Sequence, residues 1–206
     1  MPGRDEIKAE LKSAIATKNR GISATKDDRQ VIASLVARIE DLNPTPAPLS
    51  SLELLAGDWR LLYTTSAELL GIDKVPLADL GDIYQCIRPI GARIFNIAEI
   101  KSLPYCEALV SVVAGFAPAE VEGQVSDKRV NVRFNRGVIG LQRILGYQSP
   151  AQYIAKLERT EKFNLLQGFD FEINSTRQQG WLEVTYLDED LRIGRGNQGS
   201  LFVLTK

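Results

Sequence analysis

No histidine occurs anywhere in the 206 residues. Histidine is the usual general base near neutral pH and the commonest transition-metal ligand, so its absence excludes Ser-His-Asp and Cys-His catalysis, His-ligated zinc and proximal-His haem. Cysteine is nearly as scarce. Cys86 and Cys106 are far apart in sequence with no Cys-x-x-Cys pair, which rules out a four-thiolate zinc site and a redox dithiol and leaves two buried reduced thiols as the expectation. Neither sign of charge dominates, with 25 Lys and Arg against 26 Asp and Glu and a net charge of −1. A chain so balanced lacks the basic field that draws proteins to phosphate backbones, so a nucleic-acid partner is not expected. No apolar run approaches the roughly 18 residues of a spanning helix. The opening Met-Pro-Gly-Arg-Asp-Glu has no secretory h-region and is too acidic for a transit peptide, so the chain is expected in an intracellular aqueous compartment, free to lie on a membrane surface.

What is present is ordinary for a globular protein: 44% hydrophobic and 25% charged residues. At roughly 150 residues per domain the length suits one domain with a small addition, enough to bury a sizeable core. Residues 1–43 carry helical periodicity. Ile7, Leu11 and Ile15 recur every fourth position, and Val31, Ile32, Leu35, Val36, Ile39 and Leu42 form one apolar stripe, predicting two amphipathic helices separated at Gly21. The second is expected to begin at Thr25, whose hydroxyl can accept from the Asp28 amide in a capping box, and to end before Pro44. Residues 44–54 form a Pro-rich linker, since three alternate prolines deny it both helix and ladder hydrogen bonds.

From residue 55 the period changes to two, marking a single domain over 55–206. Trp59, Leu61, Tyr63 and Thr65 share one side of a first strand, and further strand-like runs fall at 81–88, 93–101, 105–114, 129–135, 181–187, 191–195 and 200–204. The cleanest alternation sets Val130, Val132 and Phe134 inside against Arg129, Asn131, Arg133 and Asn135 outside. Short turns between runs imply antiparallel neighbours, and half-polar strands in a domain of this size suit one closed or nearly closed barrel. Insertions at 67–80 and 149–166 are each expected to hold a short helix, the latter carrying Tyr153, Ile154 and Leu157.

Four motifs bear on chemistry. Gly194, Gly196 and Gly199 spell G-x-G-x-x-G, but a strand rather than a helix follows, so they read as turn glycines and not a dinucleotide loop. Asp188-Glu189-Asp190 could hold a divalent cation or act as an acid–base pair; adjacent residues on a tight turn diverge, however, and a solvated hairpin turn is the better reading. Lys128, Arg129, Arg133, Arg136 and Arg143 make a basic row able to contact anionic headgroups, or simply a solvated face that blunts a sheet edge. If Leu191 and Ile193 face the core, parity points Arg195 the same way, where Trp59 is a natural partner; alternatively Arg195 snorkels out at the strand end. No pair of titratable groups at a usable spacing suggests an enzyme.

Gly57-Asp58-Trp59 opening the first strand, with an arginine on a late strand, resembles the Gly-x-Trp and late-arginine pairing of lipocalin-like barrels. Together with Leu55-Ala56-Gly57-Asp58-Trp59-Arg60-Leu61-Leu62-Tyr63-Thr64-Thr65, with Ile83-Tyr84-Gln85, and with Gly180-Trp181-Leu182-Glu183-Val184-Thr185-Tyr186-Leu187-Asp188-Glu189-Asp190-Leu191-Arg192-Ile193-Gly194-Arg195-Gly196, the chain resembles the plastid lipid-associated protein family, the fibrillins. The resemblance implies a mainly β protein: an antiparallel lipocalin-like β-barrel of about eight strands, a size that fits one small ligand, preceded by two N-terminal α-helices. It implies no catalysis, no fixed cofactor beyond a bound lipid, carotenoid or quinone, and a place at thylakoid membranes or lipid droplets with a role in photoprotection. The lack of a transit peptide suggests a cyanobacterial member or a processed plastid form. On that footing Trp59, Tyr63, Phe134, Trp181 and Tyr186 could line a pocket, with Gln85 and Arg195 as polar contacts; the alternative is that they fill the barrel outright. A filled barrel would act as a scaffold through protein contacts, for example supporting an enzyme of isoprenoid or quinone synthesis.

Overall fold

Alternating apolar and polar residues bury one face of a strand and wet the other, and here such strands have closed on themselves. The computed structural model describes residues 3–66, 79–174 and 179–206. Its strands are β1 (Gly57–Thr64), β2 (Asp79–Arg88), β3 (Arg93–Lys101), β4 (Ala108–Val121), β5 (Gln124–Leu141), β6 (Phe169–Glu172), β7 (Gln179–Leu187), β8 (Leu191–Gly196) and β9 (Leu201–Thr205). All pairings between them are antiparallel, in the order β4-β3-β2-β1-β9-β8-β7-β5-β6, and a β4–β5 pairing closes eight of them into a barrel. β6 is an outer strand on the far half of β5. It had no counterpart among the expected strands, and the expected helix near 67–80 lies outside the described residues but for its last two positions, which belong to β2.

Leu61, Ile83, Ile87, Ile94, Ala98, Val130, Val132, Leu182, Val184 and Leu204 face inward and pack with Trp59 in one inner core. Helices cover two patches of the outer wall as well. Helices α1 (Arg4–Ala16) and α2 (Lys26–Glu40) lay Ile7, Leu11, Ile15, Ile32, Leu35, Val36 and Ile39 over Tyr63, Tyr186, Leu191, Ile193 and Val203. α2 begins where expected: Thr25 Oγ1 accepts from the Asp28 amide at 3.2 Å and Asp28 Oδ2 from the Thr25 amide at 2.9 Å. Between the helices Asn19, Arg20 and Gly21 all take positive φ, and a Cβ on Gly21 would stand 2.2 Å from the Thr64 carbonyl oxygen, so only glycine fits.

Asp188-Glu189-Asp190 is not a solvated turn. Asp188 is 2% exposed; it accepts from Lys8 Nζ at 2.8 Å and from the Tyr186 hydroxyl at 2.6 Å. Asp190 accepts from Lys12 Nζ at 2.8 Å and also from Lys8. The turn is the anchor of α1.

On the opposite wall, α4 (Gln142–Leu145) and α5 (Pro150–Arg159) set Leu145, Tyr153, Ile154 and Leu157 against Cys86, Phe95, Ile97, Leu109 and Val138. The second expected insertion helix is therefore present, capped by Ser149, whose Oγ accepts from the Gln152 amide at 3.3 Å. Arg136 pins this side. It gives two hydrogen bonds to Asp170, at 3.1 and 2.7 Å, and two more to the carbonyls of Leu157 and Thr160 that end α5. Of the two cysteines only Cys86 is buried; Cys106 is exposed on the β3–β4 loop, against expectation.

The proline segment folds onto the barrel's end. Asn43 Oδ1 accepts from the Leu187 amide at 3.1 Å, and a 3-10 turn at Pro48–Ser50 with α3 (Leu52–Leu55) brings Leu49, Leu54 and Leu55 against the inner core.

Two outcomes are expected. Burial would raise the Asp190 carboxyl, but hydrogen bonds from Lys12 and Lys8 outweigh it and hold its pKa at about 2 against an ordinary 3.8. A depressed folded value stabilises above the unfolded one and is lost as pH falls through it, so α1 should come loose between about pH 4 and pH 2. Hydrogen exchange should show its amides losing protection before those of the strands; simultaneous loss would contradict the anchor. Separately, Arg136→Leu strands the Asp170 carboxylate, 4% exposed, and should cost about 3 kcal/mol in urea unfolding, whereas Arg133→Leu on the exposed wall should stay within about 0.5 kcal/mol of the native protein.

Candidate ligand site in the barrel

Strand register places the β2–β3, β4–β5 and β7–β8 turns and the C-terminus at one end of the barrel. That end is plugged. Trp59 is wholly buried, and its indole Nε1 donates to the Leu55 carbonyl at 2.8 Å. Two cations lie against its ring: the Arg192 guanidinium, 5.1 Å from the centroid, and Lys206 Nζ at 4.9 Å. Lys206 also donates to the Leu54 carbonyl at 2.9 Å. Gly57, at φ +137°, leaves room for it, since a Cβ there would stand 2.5 Å from Lys206 Cε.

Arg192 is the unusual group. It is 1% exposed, and burial pulls its pKa down to about 9, so it stays charged at neutral pH. Nη2 donates to Gln85 Oε1 at 2.6 Å. Nη1 is buried without a hydrogen-bond partner, and no ion pair is formed by Arg192 among the described residues. Gln85 Nε2 in turn donates to Asn96 Oδ1 at 3.1 Å, and both amides are only partly buried. Beyond this polar line, Val110, Phe116, Phe134 and Phe202 pack on the inner core while keeping part of their surface accessible.

The residues expected to line a pocket divide between the two faces of the wall. Trp59, Gln85 and Phe134 belong to the interior. Tyr63 and Tyr186 are on the outer face beneath α1 and α2, because register shifts at Leu61/Tyr63 and Val184/Tyr186 reverse the alternation. Trp181 also faces out, with the Arg129 guanidinium 4.4 Å from its ring. Arg195 does share a face with Leu191 and Ile193, but that face is the helix-covered one, where Arg195 donates to Glu40 at 3.1 and 2.7 Å. The late arginine that meets Trp59 is Arg192. Flanked by apolar residues on a strand buried on both faces, it carries no alternation signal that would have marked it.

The basic row is likewise divided. Lys128 and Arg129 are held by Glu183 and Arg136 by Asp170. Arg133 is exposed on the wall, and Arg143 is exposed at the far end, 5.5 Å from the Tyr105 ring.

That far end has a different surface. Leu103 and Tyr105 on the β3–β4 loop, Ile139 and Leu141 closing β5, Ile144 on α4, Leu165 and Leu166, and Phe169 opening β6 are all exposed, Leu165 and Leu166 at 86% and 87%. Ile139 pairs directly with Phe169, and Leu141 with the Ala108 end of β4. Lys101, Arg143 and Lys162 are exposed among them. On the side wall, an outer cleft of about 450 Å³ lies between α1 and β1; its cations Lys12 and Arg60 already face Asp190 and Asp82, and Arg20 donates from Nη2 to the Asn19 side chain and the Leu80 carbonyl while its buried Nε has no hydrogen-bond partner. Among the described residues no acidic or cysteine cluster could hold a metal ion, and no helix is long and apolar enough to cross a membrane.

Comparison with known proteins gives no matching solved structure. Sequence relatives are extensive. A chromoplast-specific carotenoid-associated protein of Cucumis sativus is 33% identical over 98% of this chain and 67% of its own length. A probable plastid-lipid-associated protein 2 of Arabidopsis thaliana is 31% identical over 98% of this chain and 71% of its own, and a plastid-lipid-associated protein of Citrus unshiu is 32% identical over 98% and 68%. These relatives are named for lipid or carotenoid association in plastids, not for a reaction. The PAP_fibrillin family model matches residues 5–205, and the chain belongs to that family of plastid lipid-associated proteins.

Proposed function

We propose that the protein is a non-enzymatic lipid-associating barrel that rests its far end on a lipid surface and takes an apolar molecule, a carotenoid, a prenylquinone or an acyl lipid, into its interior. The observation that carries this reading is the contrast between the two ends. One is plugged by Trp59, α3 and Lys206; at the other, among the described residues, Leu103, Ile144, Leu165, Leu166 and Phe169 are exposed on the β3–β6 side together with Lys101, Arg143 and Lys162. Contiguous exposed aliphatics of this kind mark interaction surfaces. They suit a bilayer or droplet boundary, where aliphatic side chains enter the acyl layer and each nearby cation gains about 1 kcal/mol from anionic headgroups. The accessible apolar groups behind that rim, Val110, Phe134 and Phe202, supply the lining expected of a pocket for such a guest. The names of the plastid relatives, carotenoid-associated and plastid-lipid-associated, support the same reading; the lipid surface we propose is a thylakoid or a plastid lipid droplet, and a carotenoid guest would give the protein a part in photoprotection.

The test is flotation with vesicles containing anionic lipid at low salt. Leu165→Glu with Leu166→Glu should reduce the bound fraction about tenfold, and Arg143→Glu should weaken binding more than Arg133→Glu on the side wall. Equal flotation of the double variant and the native protein would overturn the docking surface and favour a scaffold that uses the same aliphatic rim for a protein partner.

A further inference from the structure

We propose that the barrel floor is a carboxylate receptor, so that the guest is a long-chain carboxylic acid bound head-down with its carboxylate on Arg192 and Asn96. This rests on the reading that the interior takes an apolar guest, and it specifies that guest's polar end.

Three observations converge. First, the Arg192 charge is uncompensated. It is 1% exposed, it forms no ion pair among the described residues, and the next charge at the same indole is another cation, Lys206. The acids near it in the fold are already taken: Asp58 lies on the other face of β1 and is held by Arg88 at 2.6 Å, and Asp188 and Asp190 are held by Lys8 and Lys12. A buried charge without a counterion is among the costliest arrangements in a protein interior, and an anion entering the barrel would relieve it. Second, the buried Nη1 has no partner, and an unmet donor on a cation is best satisfied by a charged acceptor.

Third, the hydrogen bonds have a fixed sense. Arg192 can only donate, so Gln85 must present Oε1 to it. Gln85 Nε2 then donates to Asn96 Oδ1, which leaves the Asn96 amide nitrogen as the free end of the line, again a donor. The groups at the two ends of this line, Arg192 Nη1 and the Asn96 amide nitrogen, are both donors. A hydrocarbon cannot answer them, an alcohol answers with a hydroxyl that is half donor, and a quinone or ester carbonyl accepts but is neutral; a carboxylate is all acceptor and also carries the charge that the buried Arg192 lacks. Val110, Phe134 and Phe202 keep apolar surface accessible beside the inner core, where an acyl chain would lie.

The experiment uses Trp181→Phe protein, which leaves Trp59 as the sole indole of the two in the chain, and follows its fluorescence on titration with oleate, oleyl alcohol and methyl oleate at mildly alkaline pH. Oleate should bind one-to-one and about tenfold tighter than either neutral analogue. With carboxyl-labelled oleate, the bound carboxyl should titrate at lower pH than the free acid, as expected beside two cations. Arg192→Gln should abolish the preference. Because that variant alters the floor, Asn96→Leu is the companion: it keeps the arginine and removes the terminal donor, and should reduce the preference several-fold. Equal affinity for the acid, alcohol and ester would overturn the carboxylate receptor while leaving an apolar-guest barrel standing. No saturable binding of any of the three by folded protein would overturn both. Full preference in Asn96→Leu together with an unshifted carboxyl titration would place the acid elsewhere and overturn the assignment to the floor.

Discussion

A charged guanidinium held against a buried indole governs the architecture of this protein. Arg192 reaches Trp59 only because β8 is covered on both faces, by the barrel interior on one side and by α1 and α2 on the other. Desolvating that charge is costly, and the indole face and Gln85 return only part of it. The surrounding residues act to hold the pair in place: Leu55 accepts from the indole, Lys206 crosses its other contact, and Gly57 vacates the space that crossing needs. The result is one sealed end and, by contrast, one end with accessible apolar groups.

The rest of the chain is organised around keeping that wall dry from outside. α1 is fastened by lysines to Asp188 and Asp190 on the β7–β8 turn, α2 by Glu40 to Arg195 and Thr185, and α5 by the Arg136 fork that also ties β6 to β5. Each anchor contains a charge pair with at least one poorly exposed member, Lys8–Asp188, Arg195–Glu40 or Arg136–Asp170, a geometry in which losing one partner costs more than the pair contributes. The cations that the sequence places in a row on β5 are therefore mostly structural, and the exposed cations Lys101, Arg143 and Lys162 lie instead at the far rim.

Much of this was legible in the residues. The Thr25 capping box, the helical stripe of α2, the alternation of Val130, Val132 and Phe134, and the strand following Gly199 all depend on near neighbours, and they appear where expected. What was hidden depends on long-range closure. A bulge changes parity without changing composition, so Tyr63 and Tyr186 moved from the inside to the outside. Arg195 and Arg192 differ only in which face each occupies, and on a strand covered on both sides apolar neighbours mark neither face. Asp188 reads as an exposed turn residue until α1, 180 positions earlier, brings Lys8 to it.

The central claim is that the interior holds a guest rather than being filled by its own side chains. The most direct measurement is mass spectrometry of an organic extract from protein purified gently out of a host that makes carotenoids, quinones and acyl lipids. The account predicts close to one equivalent of an apolar molecule per chain, with carboxylic acids foremost among what is recovered. A clean extract from fully folded protein would contradict it.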